Sequence, residues 1–166
     1  MIKMTGADVT LDQVWQIAYC LPVLKVELAA ESVEKVRTSR RYITDRLERG
    51  DVIYGVNTGF GAFSDVRISD ADTIQLQKNL IRSHCTGVGE PFSKAESRAI
   101  MFLRANTLAR GYSGVRVEVV EKILEFLNHD IVPVIPQQGS VGASGDFAPL
   151  SHLALAVIGE GEVWDG

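Results

Sequence analysis

The sequence predicts a mainly α-helical fold, and three observations carry that reading. Apolar residues recur at three- and four-residue spacings along most of the chain, two segments have the spacing of a capping box, and glycine or proline stands where those runs stop. With 166 residues, 46% hydrophobic and 23% charged, the chain has enough apolar material for one domain with its own core.

Thr10-Leu11-Asp12-Gln13 is the first capping box, and Leu11, Val14, Trp15 and Ala18 recur on one face of a short helix that Leu21-Pro22 ends. From Ala29 to Leu47, the apolar residues Val33, Val36, Ile43 and Leu47 sit among many charges, the pattern of an amphipathic surface helix, with Gly50 as its left-handed stop. Asp51-Val52-Ile53-Tyr54 suits a brief strand, but Gly55, Gly59 and Gly61 make Tyr54 to Ser64 an irregular loop. Helix resumes near Asp72, carries Leu76, Leu80 and Ile81, and runs out at Gly87 and Gly89. Ser93-Lys94-Ala95-Glu96 is the second capping box, for a helix ending at Gly111.

Ser113 begins another helix, with Val117, Val120, Leu124 and Leu127 on one face. Pro133 and Pro136 keep residues 131–136 extended, leading into a loop from Gln137 to Asp146. The last helix, Phe147 to Ile158, is apolar on almost every side, and Gly161 to Gly166 reads as a strand and turn without a second strand. Both features expect neighbours that the chain lacks, so residues 1–166 are expected to form an incomplete domain of a longer polypeptide or larger assembly.

Charge and composition exclude several function classes. Lys and Arg number 17 against 21 Asp and Glu, the net charge is −4, and neither sign gathers into a block, which argues against nucleic acid as a partner. The first residues lack the apolar core of a secretion signal and no stretch is long enough to span a bilayer, so a cytoplasmic location is expected. Cys20 and Cys85 stand far apart without partners at ligand spacing, which indicates reduced thiols and neither a disulfide framework nor a metal site.

The most unusual segment is Gly139-Ser140-Val141-Gly142-Ala143-Ser144-Gly145-Asp146. One reading is a turn in which Asp146 caps the following helix. A phosphate cradle is another, although no lysine follows the glycines and Asp146 would repel the anion. A serine nucleophile is a third, but the string does not fit the Gly-x-Ser-x-Gly elbow. The fourth is backbone cyclisation: attack of the Gly145 amide nitrogen on the Ala143 carbonyl needs a tight, nearly substituent-free loop, which Ala, Ser and Gly supply. Loss of water from that ring and of the Ser144 hydroxyl would leave an exocyclic methylene on an electron-poor imidazolone.

Four blocks now bear on the choice: Tyr54 to Gly61, Arg82-Ser83-His84, Arg104 to Arg116, and Gly139 to Leu150. In these blocks and their order the chain resembles the aromatic amino acid ammonia-lyases and aminomutases, which build 4-methylidene-imidazole-5-one (MIO) from an Ala-Ser-Gly triad. The resemblance implies the N-terminal, MIO-bearing domain of the helical ammonia-lyase fold, fumarase/aspartase-like, with the long central-bundle helices absent. It also implies a carbon-nitrogen lyase in a homotetramer whose active sites draw on more than one subunit. The remaining active-site groups, a carboxylate-binding arginine among them, are expected outside the chain, and the chain alone is expected to be inactive. Phe147 departs from the pattern, which has Leu there, a swap expected to alter packing more than chemistry.

Residue by residue, the resemblance makes Ala143, Ser144 and Gly145 the source of the MIO and Asp146 the carboxylate that assists ring formation. Tyr54 becomes the base for the substrate's β-proton; without the family it would be an amphipathic tyrosine whose hydroxyl finds a backbone partner. Asn57, Thr58 and Gly59 are positioning or substrate-binding residues of the Tyr54 loop. Ser83 and His84 fall where family members discriminate substrates, and a Ser-His pair resembles the histidine-directed enzymes; otherwise His84 would be a polar residue at a helix end. The implied substrate is L-histidine, with phenylalanine or tyrosine, and a lyase or an aminomutase, as alternatives. An inactive truncated piece that only associates is the alternative of another class. His129 and His152 keep a structural reading, and Cys85 reads as buried packing.

Overall fold

The computed structural model describes residues 1–20, 24–143, 145 and 147–165. Helices dominate them: α1 (Leu11–Tyr19), α2 (Ala30–Glu48), α3 (Asp70–His84), α4 (Lys94–Ala109), α5 (Val117–Asn128) and α6 (Ala148–Val157). Both capping boxes form, Thr10 with Gln13 on α1 and Ser93 with Glu96 on α4. In each, a hydroxyl satisfies an amide of the first turn while the side chain three residues on returns to the cap amide.

α4 is the central helix. Met101, Phe102, Ala105, Leu108 and Ala109 are buried along it, against Ile17 of α1 and against Val120, Ile123, Leu124 and Leu127 of α5. The i, i+3, i+4 spacing of these residues turns one stripe per helix inward, and burial of each large side chain stabilises the fold by about 1.5–3 kcal/mol. Val132, Ile135 and Leu153 close the core.

Several expectations are corrected. Residues 51–54 form no strand, because their backbone wraps around the Asn57 side chain instead. α3 starts at Asp70, two residues before the expected point, since the Ser69 hydroxyl caps the Asp72 amide. α5 begins at Val117 rather than Ser113, because Gly114 takes a left-handed φ of 64° and packs on Ile43 of α2, which breaks the run. On α1, Leu11, Trp15 and Tyr19 face outward, Leu11 being 88% exposed, while Ile17 and Ala18 turn inward; the apolar pattern there spans two stripes. The expected stop at Leu21-Pro22 lies outside the described residues.

Short strands that the sequence did not signal tie the helices together. β1 (Ile2–Met4) and β2 (Val26–Leu28) pair in parallel, and the Asn128 side chain at the end of α5 both accepts the Val26 amide at 2.8 Å and donates to its carbonyl at 2.8 Å. β3 (Val88–Pro91) and β4 (Pro136–Gln138) pair antiparallel. The terminal segment does find a partner: the Trp164 amide donates to the Val132 carbonyl and the Val134 amide to the Glu162 carbonyl. The uniformly apolar α6 is accounted for on two sides, since Ala148, Leu153 and Ala156 are buried while Leu150, Ala154 and Val157 help line a cavity.

Candidate active site

A cavity of about 580 Å³ lies between the loop that follows α2 and helices α3 to α6. Its walls are mainly apolar, with Leu80, Ile81, Leu108, Val119 and Leu150 among them, and its polar side chains are Tyr54, His84, Arg104 and Ser151. The size and the few polar groups on an apolar wall suit a small-molecule site.

Tyr54 is presented by a loop that is closed on itself. Asn57 is 2% exposed; its Oδ1 accepts the Ile53 amide at 2.8 Å, and its Nδ2 donates to the Asp51 carbonyl at 2.9 Å. Thr58 is fully buried, accepting the Gly55 amide at 3.2 Å and donating to the Gly59 carbonyl at 2.8 Å. Backbone bonds from Gly59 to Val66 and from Ile68 to Asn57 finish the closure, and Gln77 of α3 donates to the Gly55 carbonyl at 3.1 Å. The polar atoms of Asn57 and Thr58 are thus spent on the loop, which gives them a positioning role. The Tyr54 ring is 64% exposed, meets Phe60 edge-on at 5.8 Å, and makes no hydrogen bond through its hydroxyl among the described residues. That is not the backbone-anchored tyrosine of the structural alternative.

His84 ends α3. Its Nδ1 lies 2.9 Å from the Leu80 carbonyl and 3.0 Å from the Ser83 hydroxyl. A carbonyl only accepts, so Nδ1 carries the proton in this arrangement and Nε2 of the neutral ring is left as an acceptor. Ser83 itself is exposed, donates to Leu80, and stands outside the cavity wall. The structure therefore brings Tyr54 and His84 to one cavity, with Ser83 outside its wall but in contact with His84.

The glycine-rich loop reaches this cavity through Phe147. Its ends are stitched to α6, with the Ala148 amide donating to the Ser140 carbonyl at 2.9 Å and the Gly142 amide to the Ser140 hydroxyl at 3.2 Å. Gly142 and Gly145 take left-handed φ values of 61° and 79°, and among the described residues nothing beyond its chain neighbours lies within 4 Å of the place where a Cβ on Gly145 would be. Ala143 and Gly145 are exposed. The two left-handed glycines give the described part of this loop a tight turn. Ser144 and Asp146 lie outside the described residues.

Around the site, α3 and α6 are clamped by polar contacts. Arg82 grips Glu160 through two hydrogen bonds of 2.8 and 2.6 Å, which raise the guanidinium and hold the carboxyl below its usual range. His152 of α6 accepts the Gly87 amide at Nε2, 3.2 Å away, and burial lowers its pKa. Burial pushes the half-buried Cys85 thiol up and Glu160 adds to this, so the residue is not poised as a thiolate nucleophile. Among the described residues no cluster of His, Cys, Asp or Glu is arranged to hold a metal ion, and no helix is long and apolar enough to cross a membrane.

Two lining residues escaped sequence reasoning. Arg104 lies on the inward stripe of α4, three residues after Met101 and four before Leu108, and that spacing was the available signal. Phe147 stood out only as a departure from the family pattern.

Comparison with known proteins agrees with this geometry. A family model described as aromatic amino acid lyase matches residues 9–166. Among curated relatives, a histidine ammonia-lyase of Shouchella clausii is 55% identical over 98% of the chain and 32% of its own length, and that of Bacillus subtilis is 50% identical over 99% and 32%. Among solved structures, tyrosine aminomutase from Streptomyces globisporus superposes with a TM-score of 0.90 at 40% identity, covering 99% of this chain and 30% of its own. Histidine ammonia-lyase from Trypanosoma cruzi superposes with a TM-score of 0.87 at 38% identity, covering 98% and 30%. The chain spans about a third of the length of the curated relatives it matches. The family match covers nearly the whole chain and the three comparisons converge: the chain belongs to the aromatic amino acid lyase family.

Proposed function

We propose that the complete polypeptide containing this chain deaminates L-histidine without oxidation, giving trans-urocanate and ammonia as the first step of histidine degradation. The observation that carries the reading is His84: it shares a cavity with Tyr54, and the bond from Nδ1 to Leu80 leaves Nε2 to accept the N–H of a second imidazole. Names of the curated relatives support the same substrate.

Ala143, Ser144 and Gly145 supply the MIO, whose electrophilic methylene, once formed, makes the substrate's ammonia a better leaving group. Asp146 assists closure of the ring. Tyr54 takes the β-proton from a substrate whose imidazole rests on His84, and Asn57, Thr58 and Gly59 hold the loop that aims its phenol. Groups beyond this chain complete the site in a cytoplasmic homotetramer, and the 166-residue chain alone is inactive; nucleic acid and membrane are not partners.

A second reading, a phenylalanine or tyrosine lyase or aminomutase, is favoured by the likeness to the Streptomyces globisporus enzyme. Turnover of histidine, phenylalanine and tyrosine by the purified complete enzyme separates the two. Urocanate from histidine is the expected product, whereas preferential deamination of tyrosine or phenylalanine, or formation of a β-amino acid, supports the second reading. No turnover of any of them by the assembled protein would leave an inactive associating piece.

A further inference from the structure

Phe147 sits where three parts of the site meet. As the N-cap residue of α6 it follows the triad loop, its ring lines the cavity, and the ring centroid lies 4.8 Å from that of His84 at an interplanar angle of 51°. On its other side the ring presses on the loop: a Cβ at Gly142 would fall 2.5 Å from Phe147 Cδ2 and 2.6 Å from Cε2. One flat side chain therefore packs against both Gly142, the residue just before the triad, and the imidazole of His84.

The geometry points to Phe147 as a positioning residue that acts through His84, holding the imidazole plane in register with the triad loop. The bonds of Nδ1 to Leu80 and Ser83 fix one edge of the His84 ring but leave it free to swing about that edge. A tilted aromatic neighbour within about 4.5–7 Å restricts that swing. Leucine would fill similar volume without a flat face, so the aromatic ring adds an orienting contact. Arg82 with Glu160, and His152 with Gly87, tie the end of α3 and the turn after it to the middle of α6 and the residues that follow it, so the pair of rings is carried on elements joined by polar contacts.

The inference rests on reading the cavity as the substrate site, and its test separates the two. Phe147→Leu, Phe147→Tyr, His84→Ala and the double variant Phe147→Leu/His84→Ala are compared in the complete, assembled enzyme. Phe147→Leu is expected to raise KM for histidine roughly three- to tenfold, the size of one aromatic-pair coupling, with kcat changed less than about twofold. Phe147→Tyr restores KM, and in the His84→Ala background Phe147→Leu adds less than about twofold. Equal losses in both backgrounds, or an unchanged KM, overturn the proposal. Should histidine not be the substrate, the same cycle is read on the aromatic amino acid that is. Independently of turnover, the NMR signals of ring-labelled histidine report the contact. The His84 signal, assigned by its loss in His84→Ala, is expected upfield and moves on Phe147→Leu, while an unmoved signal overturns the proposal even if histidine deamination is intact.

Discussion

The Asn57 side chain accepts the Ile53 amide at 2.8 Å, closing the loop that presents Tyr54 around a buried amide group. Replacing it by alanine leaves both that amide and the Asp51 carbonyl without their partner. Asn57→Ala is expected to cost about 2–4 kcal/mol of stability, read by thermal unfolding. It is also expected to lower kcat at least roughly tenfold, because the phenol is no longer held in reach of the proton it is proposed to take.

Tyr54 has no structural bond to lose through its hydroxyl among the described residues, so Tyr54→Phe isolates chemistry from folding. An unchanged melting temperature is expected, together with a fall in kcat of about 10²–10⁴-fold, the usual worth of a positioned acid or base. A variant with near-normal kcat removes Tyr54 from the mechanism.

His152 introduces a pH dependence with a definite sign. Burial lowers its folded-state pKa, and Nε2 must stay unprotonated to accept the Gly87 amide. Below about pH 6.5 the unfolded chain binds a proton that the folded one refuses, so this group's contribution is full above that value and is lost as pH falls towards the folded pKa. Melting curves between pH 7.5 and 5, values chosen to bracket that point, are expected to show the loss. His152→Gln, whose carbonyl accepts the same amide without titrating, flattens it.

Asp130 joins Lys94 and Arg98 at the start of α4 to the end of α5. Burial by itself raises its pKa, but the hydrogen bonds from Arg98 and Lys94 outweigh that and hold the carboxyl below its usual range. The stabilisation is present above the unfolded value near 3.9 and disappears as pH falls through the lower folded value. Asp130 also has a left-handed φ of 58°, which asparagine tolerates. Asp130→Asn keeps the backbone, is expected to cost about 1–2 kcal/mol at neutral pH by denaturant unfolding, and removes the acid dependence.

Helices were legible wherever a cap and a helical repeat coincided, as at Thr10 and Ser93, because both signals are local. Ser113 misled because the bend at Gly114 is set by Ile43, on another helix. The three-residue strands left no pattern, and the partner of Trp164 is more than 30 residues away at Val132. At the site, Tyr54, Asn57 and His84 were identified through the family blocks, and so was the glycine loop. That Ser83 stands outside the cavity wall, and that Phe147 packs on His84, depends on how α3 meets α6, which no single segment encodes.

The central claim is that the main chain at Ala143-Ser144-Gly145 closes into a ring, and the most direct test is the mass of the peptide spanning residues 139–150 from the complete, assembled protein. The account expects a mass lower than the sequence by two waters, with Ser144→Ala unable to lose the second. An active enzyme whose peptide carries its full, unmodified mass would contradict it.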